Sequence, residues 1–400
     1  MNTPTILIGQ SGGPTAVINA SLYGLIKEAK LKCPLHHIIG CHHGIDGILY
    51  EEFISLDEVK TTLSTTPGMT LGSVRKKLPS YQENPALYES VRKVFEKHHI
   101  THFFYIGGND SMDTAARLSD YFTTSSFPCV VIGIPKTIDN DLVGQDHTPG
   151  YGSCAKYLAT TLQELAYDTA VYAKGRVTIV EVMGRDTGWL AAATGIGTHY
   201  SVGPDAIFIP EIPFQLDDFL KRVKKIYQEK KRALIVTSEG IKDIDGNYLS
   251  NLGMVDRFDH QQLGGVAQRL ALLVETKLQL PTRAIEISLS QRAAGHILSK
   301  RDHQEALEVG RKAMRFGLEG LHGMMVTIQR KQNNPYRVHY KPFPLTAVAN
   351  FIKPFPGEWM NQTSMLPNEE FLHYVLPLIE GEVKIPYSHG IPDYSLVIRP

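Results

Sequence analysis

Short apolar runs rich in β-branched residues alternate along this chain with longer stretches in which apolar residues recur at helical spacing. A strand covered on both faces reads as a continuous apolar run and its covering helix as a one-sided stripe, so the alternation predicts parallel sheets flanked by helices. Strands are predicted at Thr5–Gly9, His37–Gly40, Thr101–Ile106, Cys129–Ile134, Arg176–Val182, Ala206–Ile209, Ala233–Thr237, Arg283–Ser288 and Met324–Ile328. Between them, Ala16–Lys30 places Ile18, Leu22, Leu25 and Ile26 on one face, and Phe219–Lys230 and Gln261–Leu278 serve similarly. At 400 residues the chain exceeds what one core usually serves. The predicted fold class is therefore α/β, with two doubly wound Rossmann-like domains and mostly parallel sheets. The last fifty residues hold many prolines and little periodicity, so they are expected to wrap over the domains rather than form one.

In such sheets ligands sit beyond the carboxyl ends of the strands, which directs attention to the residues after each one. The first strand runs into Gly9-Gln10-Ser11-Gly12-Gly13-Pro14-Thr15 and a helix follows, an arrangement suited to a phosphate held by backbone amides, or to a tight turn with no ligand. It matches neither GxGxxG nor GxxxxGK[ST]. A second glycine turn, Gly107-Gly108-Asn109-Asp110-Ser111, follows the Thr101–Ile106 strand. The next strand ends in Pro135-Lys136-Thr137-Ile138-Asp139-Asn140-Asp141, which offers a cation, a hydroxyl and two carboxylates, the groups that phosphoryl transfer requires; the bland alternative is a solvated Asn/Asp turn.

These segments, with Val182-Met183-Gly184-Arg185, Leu71-Gly72-Ser73-Val74-Arg75, Ser238-Glu239, Arg283, Arg292 and Lys353-Pro354-Phe355-Pro356-Gly357-Glu358-Trp359, resemble the motifs of the phosphofructokinase family in the same order, from residue 9 to residue 359. The resemblance implies a donor domain of residues 1–150 plus about 290–345 and a sugar-phosphate domain of 151–289 plus about 346–400. It implies Asp139 as the base for the C1 hydroxyl of fructose 6-phosphate, with Thr137 and Lys136 at the reacting oxygens and Asp141 helping to hold the site. The donor would meet Gly12, Gly13, Arg75, Gly108, Asn109, Asp110, Ser111 and Lys136. The sugar phosphate would meet Thr137, Ile138, Asp139, Arg176, Met183, Gly184, Arg185, Glu239, Arg283 and Arg292. It further implies a homo-oligomer, at least a dimer, with Arg176 and Arg283 lent to a neighbouring subunit, and Mg²⁺ as cofactor.

Three positions depart from the ATP-using pattern. Asn109 stands where the family usually has an acidic metal ligand; Asn109 and Asp110 are the candidate ligands, and Asp139 or Asp141 could carry the ion instead. Leu289 occupies the place of a clamp histidine, for which His296, Lys300 or Arg301 would substitute. Asp110 replaces a glycine that leaves room for a nucleotide's α-phosphate and Lys136 replaces a small residue, so the pair resembles the pyrophosphate-dependent branch: the carboxylate repels ATP and the ammonium suits a compact anion. The reading is thus a glycolytic phosphotransferase using pyrophosphate and fructose 6-phosphate. The alternatives are an ATP-dependent enzyme, a kinase of another sugar phosphate such as sedoheptulose 7-phosphate, and a non-catalytic regulatory subunit.

Composition narrows the partners. The 41 basic residues balance the 41 acidic ones, which removes any general electrostatic reason for nucleic acid or an anionic membrane as a partner. Four cysteines without CxxC spacing are expected to be reduced thiols of a cytoplasmic protein. No stretch approaches a membrane span, and the adjacent histidine pairs at 36–37, 42–43 and 98–99 lack metal-ligand spacing.

Overall fold

The computed structural model describes residues 3–74, 76–250 and 265–394. In chain order the principal strands are β1 (Thr5–Gln10), β2 (His37–Cys41), β3 (Phe53–Ser55), β4 (Ile100–Gly107), β5 (Val130–Pro135), β6 (Val177–Val182), β7 (Ala206–Phe208), β8 (Ala233–Ser238), β9 (Thr282–Glu286), β10 (Met324–Asn333) and β11 (Tyr336–Pro344). The helices are α1 (Ile18–Lys32), α2 (Gly44–Leu49), α3 (Pro85–Lys97), α4 (Asn109–Thr124), α5 (Tyr151–Ala170), α6 (Trp189–Ala193), α7 (Leu216–Lys230), α8 (Val266–Leu278), α9 (Lys300–Leu318) and α10 (Glu369–Val375). Each predicted strand is present. The predicted helix at Gln261–Leu278 is described from Val266 onward, and residues 261–264 lie outside the described set.

Two compact units result: Met1–Ser153 with Arg292–Ile352 and Glu380–Pro400, and Cys154–Gln291 with Lys353–Ile379. Residues 346–352 and 380–394, expected in the second domain, belong to the first unit instead. A physical reason is visible for the later stretch: Arg301 on α9 pairs with Glu380 at 2.6 Å, and Ser299 bridges Glu382.

The first unit is built on a sheet of order β11-β10-β5-β4-β1-β2-β3, parallel from β10 through β2. Alternation along β1 sends Ile6 and Ile8 to a core shared with Leu22 and Leu25 of α1 and Val309 and Met314 of α9. Leu7 goes to the opposite face with Val91, Phe95, Phe103 and Leu118. The chain leaves β1 toward β2 on one side and returns to β4 on the other, so β1 and β4 flank a topological switch point, where their following loops part. The periodicity did not reveal β3 or β11. Both are antiparallel edge strands without fully buried faces, and β11 carries Lys341 and two prolines.

The second unit holds a four-stranded parallel sheet of order β7-β8-β6-β9. Val177, Ile179 and Ile235 pack against Phe219 and Val223 of α7 and Leu270 and Val274 of α8. Among the described residues no helix is long and apolar enough to cross a membrane, and Cys33, Cys41, Cys129 and Cys154 are buried free thiols.

In the first unit α1 and α9 approach closely because glycines meet at their contact: a methyl at Gly310 would overlap the Ser21 carbonyl, and one at Gly24 the Leu307 carbonyl. Glycine to alanine inside a helix ordinarily gains up to about 1 kcal/mol, whereas forcing a methyl into a packed backbone contact costs about 1–3 kcal/mol or more. Gly310→Ala is therefore expected to lower the denaturant midpoint, as followed by circular dichroism. An unchanged or raised midpoint would show that the two helices do not meet in this way.

Candidate active site

In the first unit the loops after β1, β4 and β5 come together. The Lys136 amide extends the β4–β5 ladder by donating to the Gly107 carbonyl at 3.0 Å, and its side chain, 2 % exposed, runs back so that Nζ donates to the Gly13 carbonyl at 2.6 Å. A methyl at Gly12 would lie 3.1 Å from that Nζ, and Gly12 itself holds a φ of +82°, which favours glycine. Ser73 Oγ donates to the Gly12 carbonyl at 2.6 Å and Ser11 Oγ to Val74 O at 3.0 Å, so the Leu71–Val74 stretch props the glycine loop from outside. A methyl at Gly13 would lie 3.2 Å from Nη1 of Arg292. Arg292 thus stands beside the glycine loop of the first unit.

The helices that follow add their own field. No side chain caps α1 or α4, so their leading amides and positive dipole ends remain at the loops. Gly108 is the N-cap of α4, Asp110 is exposed in its first turn, and Ser111 is buried with its hydroxyl unpartnered. Thr15 Oγ1 is likewise buried and unpartnered. Arg75 lies outside the described residues.

Asn109 has partners that its sequence position does not suggest. Its Oδ1 accepts from the Asn350 amide at 2.6 Å, and its Nδ2 donates to the Phe351 carbonyl at 2.5 Å. Asn350 in turn donates to Asp113 at 3.0 Å, and Asp113 pairs with Arg117. The side chain works as a two-way amide clip between α4 and the segment that leads into Lys353. Among the described residues no group of three or more His, Cys, Asp or Glu side chains could hold a metal by itself. A Mg²⁺ that keeps its waters and donor-phosphate oxygens needs only one or two carboxylates, and Asp110, exposed beside the helix start, fits that part better than Asn109.

The loop that carries the candidate base closes on itself. Asp139 N donates to Thr137 Oγ1 at 3.1 Å, Thr137 bridges Gly150, Ile138 is buried, and Asn140 in the left-handed region accepts from Thr148 N at 3.1 Å. Both Thr137 and Asp139 are half-buried.

In the second unit the loops after β6, β8 and β9 are knitted together. Gly184, at φ +132°, donates to Glu239 Oε1 at 3.4 Å, and its carbonyl accepts from Ser238 Oγ. Met183 N donates to Gln291 Oε1 at 3.3 Å, and Arg185 backs onto Gly240. Directly behind, buried Glu181 accepts from Ala267 N at 2.9 Å. Burial pushes its carboxyl up to about 7, against the pull of that amide and with repulsion from Glu286 and Glu239 in addition. Met183, Gly184, Arg185 and Glu239 therefore form one patch. Arg176 and Arg283 are elsewhere: Arg176 precedes β6, and Arg283 pairs in register with Thr178, so both sit toward the N-terminal ends of their strands, roughly 23 Å and 16 Å along the strand direction from Met183. Of the substitutes for the clamp histidine, Arg301 is committed to Glu380 and stacks over Tyr336, while His296 and Lys300 are exposed.

Residues 5–316 match the family model described as Phosphofructokinase. The chain is 38 % identical to a pyrophosphate–fructose 6-phosphate 1-phosphotransferase of Xanthomonas campestris pv. campestris, covering 98 % of this chain and 96 % of the relative. Its fold is similar to solved pyrophosphate-dependent phosphofructokinases. The one from Nitrosospira multiformis has a TM-score of 0.89 at 35 % identity, covering 98 % of this chain and 96 % of that one. The one from Marinobacter aquaeolei has a TM-score of 0.86 at 34 % identity, covering 99 % and 98 %. With its glycine loops, Thr-Ile-Asp loop and Met-Gly-Arg patch all placed at strand ends, this chain belongs to the phosphofructokinase family.

Proposed function

We propose that the chain transfers a phosphoryl group reversibly from pyrophosphate to the C1 hydroxyl of fructose 6-phosphate, giving fructose 1,6-bisphosphate and orthophosphate. The observation that carries this reading is the buried Lys136 ammonium against Gly12 and Gly13. It supplies a fixed positive charge for a small, highly charged donor, and the two uncapped helix starts add to it. The names of the relatives support the same donor and acceptor. A divalent cation, Mg²⁺, would be held by Asp110 and donor oxygens and would neutralise phosphate charge. The exposed Asp110 carboxylate at the α4 start would repel the extra phosphate of a nucleotide, so discrimination against ATP works by charge and space. We place the enzyme in the cytoplasm, in keeping with its buried free thiols.

In the transfer, Gly12, Gly13, Gly108, Ser111 and Lys136 bind and orient the donor, and Arg292, expected at the sugar phosphate, is assigned to the donor instead because its Nη1 stands beside Gly13. The patch of Met183, Gly184, Arg185 and Glu239 takes the sugar phosphate. The C1 oxygen forms a bond to the terminal phosphorus as the bridging P–O bond breaks, its proton passes to the Asp139 carboxylate, and orthophosphate leaves. Thr137 steadies Asp139 through the Asp139 amide. Positioning matters more than basicity here because proton transfer can come late in phosphoryl transfer.

Wild type with pyrophosphate, Mg²⁺ and fructose 6-phosphate should form bisphosphate and orthophosphate in equal amounts. Asp139→Asn should lower kcat by roughly 10²–10⁴-fold while KM for both substrates changes little. A variant within a fewfold of wild type would remove Asp139 from the mechanism.

Asn109→Asp separates the clip from a metal ligand. A carboxylate cannot donate to the Phe351 carbonyl and is repelled by it, so kcat/KM for pyrophosphate should fall about tenfold with no gain in Mg²⁺ affinity. A lower Mg²⁺ requirement would return this position to the metal site.

Arg176 and Arg283, at the strand ends away from Met183, fit a role in a neighbouring subunit's site, and we infer a homo-oligomer, at least a dimer. Mixing inactive Arg283→Ala with inactive Asp139→Ala under conditions of proven subunit exchange should restore activity. No recovery would mean that the arginine does not serve a partner.

A further inference from the structure

The loop carrying Asp139 takes its position from its far end. Thr137 N donates to Pro149 O at 3.4 Å, Asn140 Oδ1 holds Thr148 N, and Gln145 Nε2 donates to Thr148 Oγ1 at 2.9 Å. Residues 146–150 therefore set where residues 137–140 lie. That far end is tied to α9 and β10–β11 within the same unit. Asp302 accepts from both Gly150 N and Ser153 N at 2.9 Å. His147, 2 % exposed, has Asp146 Oδ1 at 2.7 Å from Nδ1 and Glu305 Oε2 at 2.6 Å from Nε2. Arg330 donates to Asp146 through Nε at 3.0 Å and Nη2 at 2.8 Å, and Tyr336 donates to Glu305 Oε1 at 2.7 Å.

A neutral imidazole has one N–H, so it can satisfy one of two carboxylates and must present a lone pair to the other. With a carboxylate at hydrogen-bond distance from each ring nitrogen, His147 has to carry both protons. The group of His147 and Arg330 against Asp146 and Glu305 is then neutral, and loss of one proton would leave a buried net negative charge and a broken hydrogen bond.

We propose that the His147 imidazolium is a proton-dependent lock on the catalytic loop: protonated, it pins residues 146–150 to α9 and keeps Asp139 in register, and deprotonated, it lets the loop loosen and turnover fall. His147 is a positioning residue that acts through the loop. The proposal rests on Asp139 as the base for its kinetic arm alone, since the titration and stability arms below are read without it.

The electrostatics agree with the geometry. Burial by itself lowers the His147 pKa, yet the Glu305 charge and the hydrogen bonds to Asp146 and Glu305 outweigh it and raise it to about 9. Burial likewise pushes Asp146 up, but His147 and Arg330 hold it down at about 2. Tyr336 and Tyr340 are driven up by burial and by Glu305 and so stay protonated near pH 9, while Asp302, raised by burial and by Glu305, keeps its bonds to Gly150 N and Ser153 N beside the pair. Glu308 and Arg301 also act on Tyr340, with opposite signs. A histidine whose folded pKa lies above its unfolded value of about 6.5 contributes stability that is fully present below about 6.5 and lost as pH rises through about 9. Stability and kcat should therefore decline together over that window. KM for pyrophosphate should move less than kcat, because the network reaches the Gly12–Gly13 loop only at second hand, through Thr137 to Lys136 and through the packing of Gly150 on Thr15.

The test follows the His147 ring signals by NMR on the whole enzyme from pH 6 to 10.5, alongside kcat, KM and the thermal midpoint in the same buffers. In wild type the ring should titrate near 9, with kcat and the midpoint falling over the same range. Glu305→Gln removes one of the two charges that hold the proton, and should shift the ring titration and the kcat limb to lower pH by about one unit or more. His147→Gln should lose the limb near 9 and have lower kcat at pH 7. A ring that titrates at or below about 6.5 in wild type would overturn the proposal. So would a kcat that stays flat while the ring loses its proton, or a limb unmoved by Glu305→Gln. The last two hold even if His147→Gln fails to fold.

Discussion

A single buried ammonium organises the donor half of this protein. Lys136 leaves the end of β5, continues the ladder with Gly107, and returns to the Gly13 carbonyl, so one residue ties the loops after three neighbouring strands. Taking an ammonium out of water costs several kcal/mol, and a hydrogen bond from a charged group returns about 1.5–3 kcal/mol. Two helix N-termini nearby point the same sign of field at the loop, which suits an anion of high charge density. The glycines follow from that constraint. Gly12 has both a left-handed backbone and no room for a methyl beside Nζ.

The parts of the molecule that were legible in the sequence are those governed by local chemistry. Continuous apolar runs such as Ile6–Ile8 and Val131–Ile134 are what a strand covered on both faces requires, and the strand-loop-helix order by itself puts Gly12, Asp110, Lys136 and Asp139 at strand ends. Met183, Gly184 and Glu239 were legible for the same reason. What was not legible depends on contacts between distant residues. The Asn109 clip joins positions 242 apart in the chain, and an asparagine after two glycines carries no mark of a partner in an irregular segment. His147 and Glu305 are 158 residues apart. Neither composition nor period could bring them together, since only the docking of α9 against the loop does so. The edge strand β11 stayed hidden because its exposed side chains break the apolar run that betrays an interior strand.

Order in the catalytic loop and order in the glycine loop have different sources. The glycine loop is held by short polar contacts from Ser11, Ser73 and Lys136. The Asp139 loop is held from its far end by a buried ionic group on α9 and β10. The two loops meet at Lys136 and Thr137, so a change at the far end of the Asp139 loop reaches the glycine loop only through that junction and through Gly150 against Thr15.

We propose that the Lys136 charge serves pyrophosphate, and calorimetric titration of pyrophosphate into wild type and Lys136→Met measures this most directly. Methionine keeps much of the buried stem and removes the charge. With folding verified by circular dichroism, the variant should bind pyrophosphate at least about tenfold more weakly, equivalent to ~1.4 kcal/mol or more. A folded Lys136→Met that binds pyrophosphate as tightly as wild type would contradict the account.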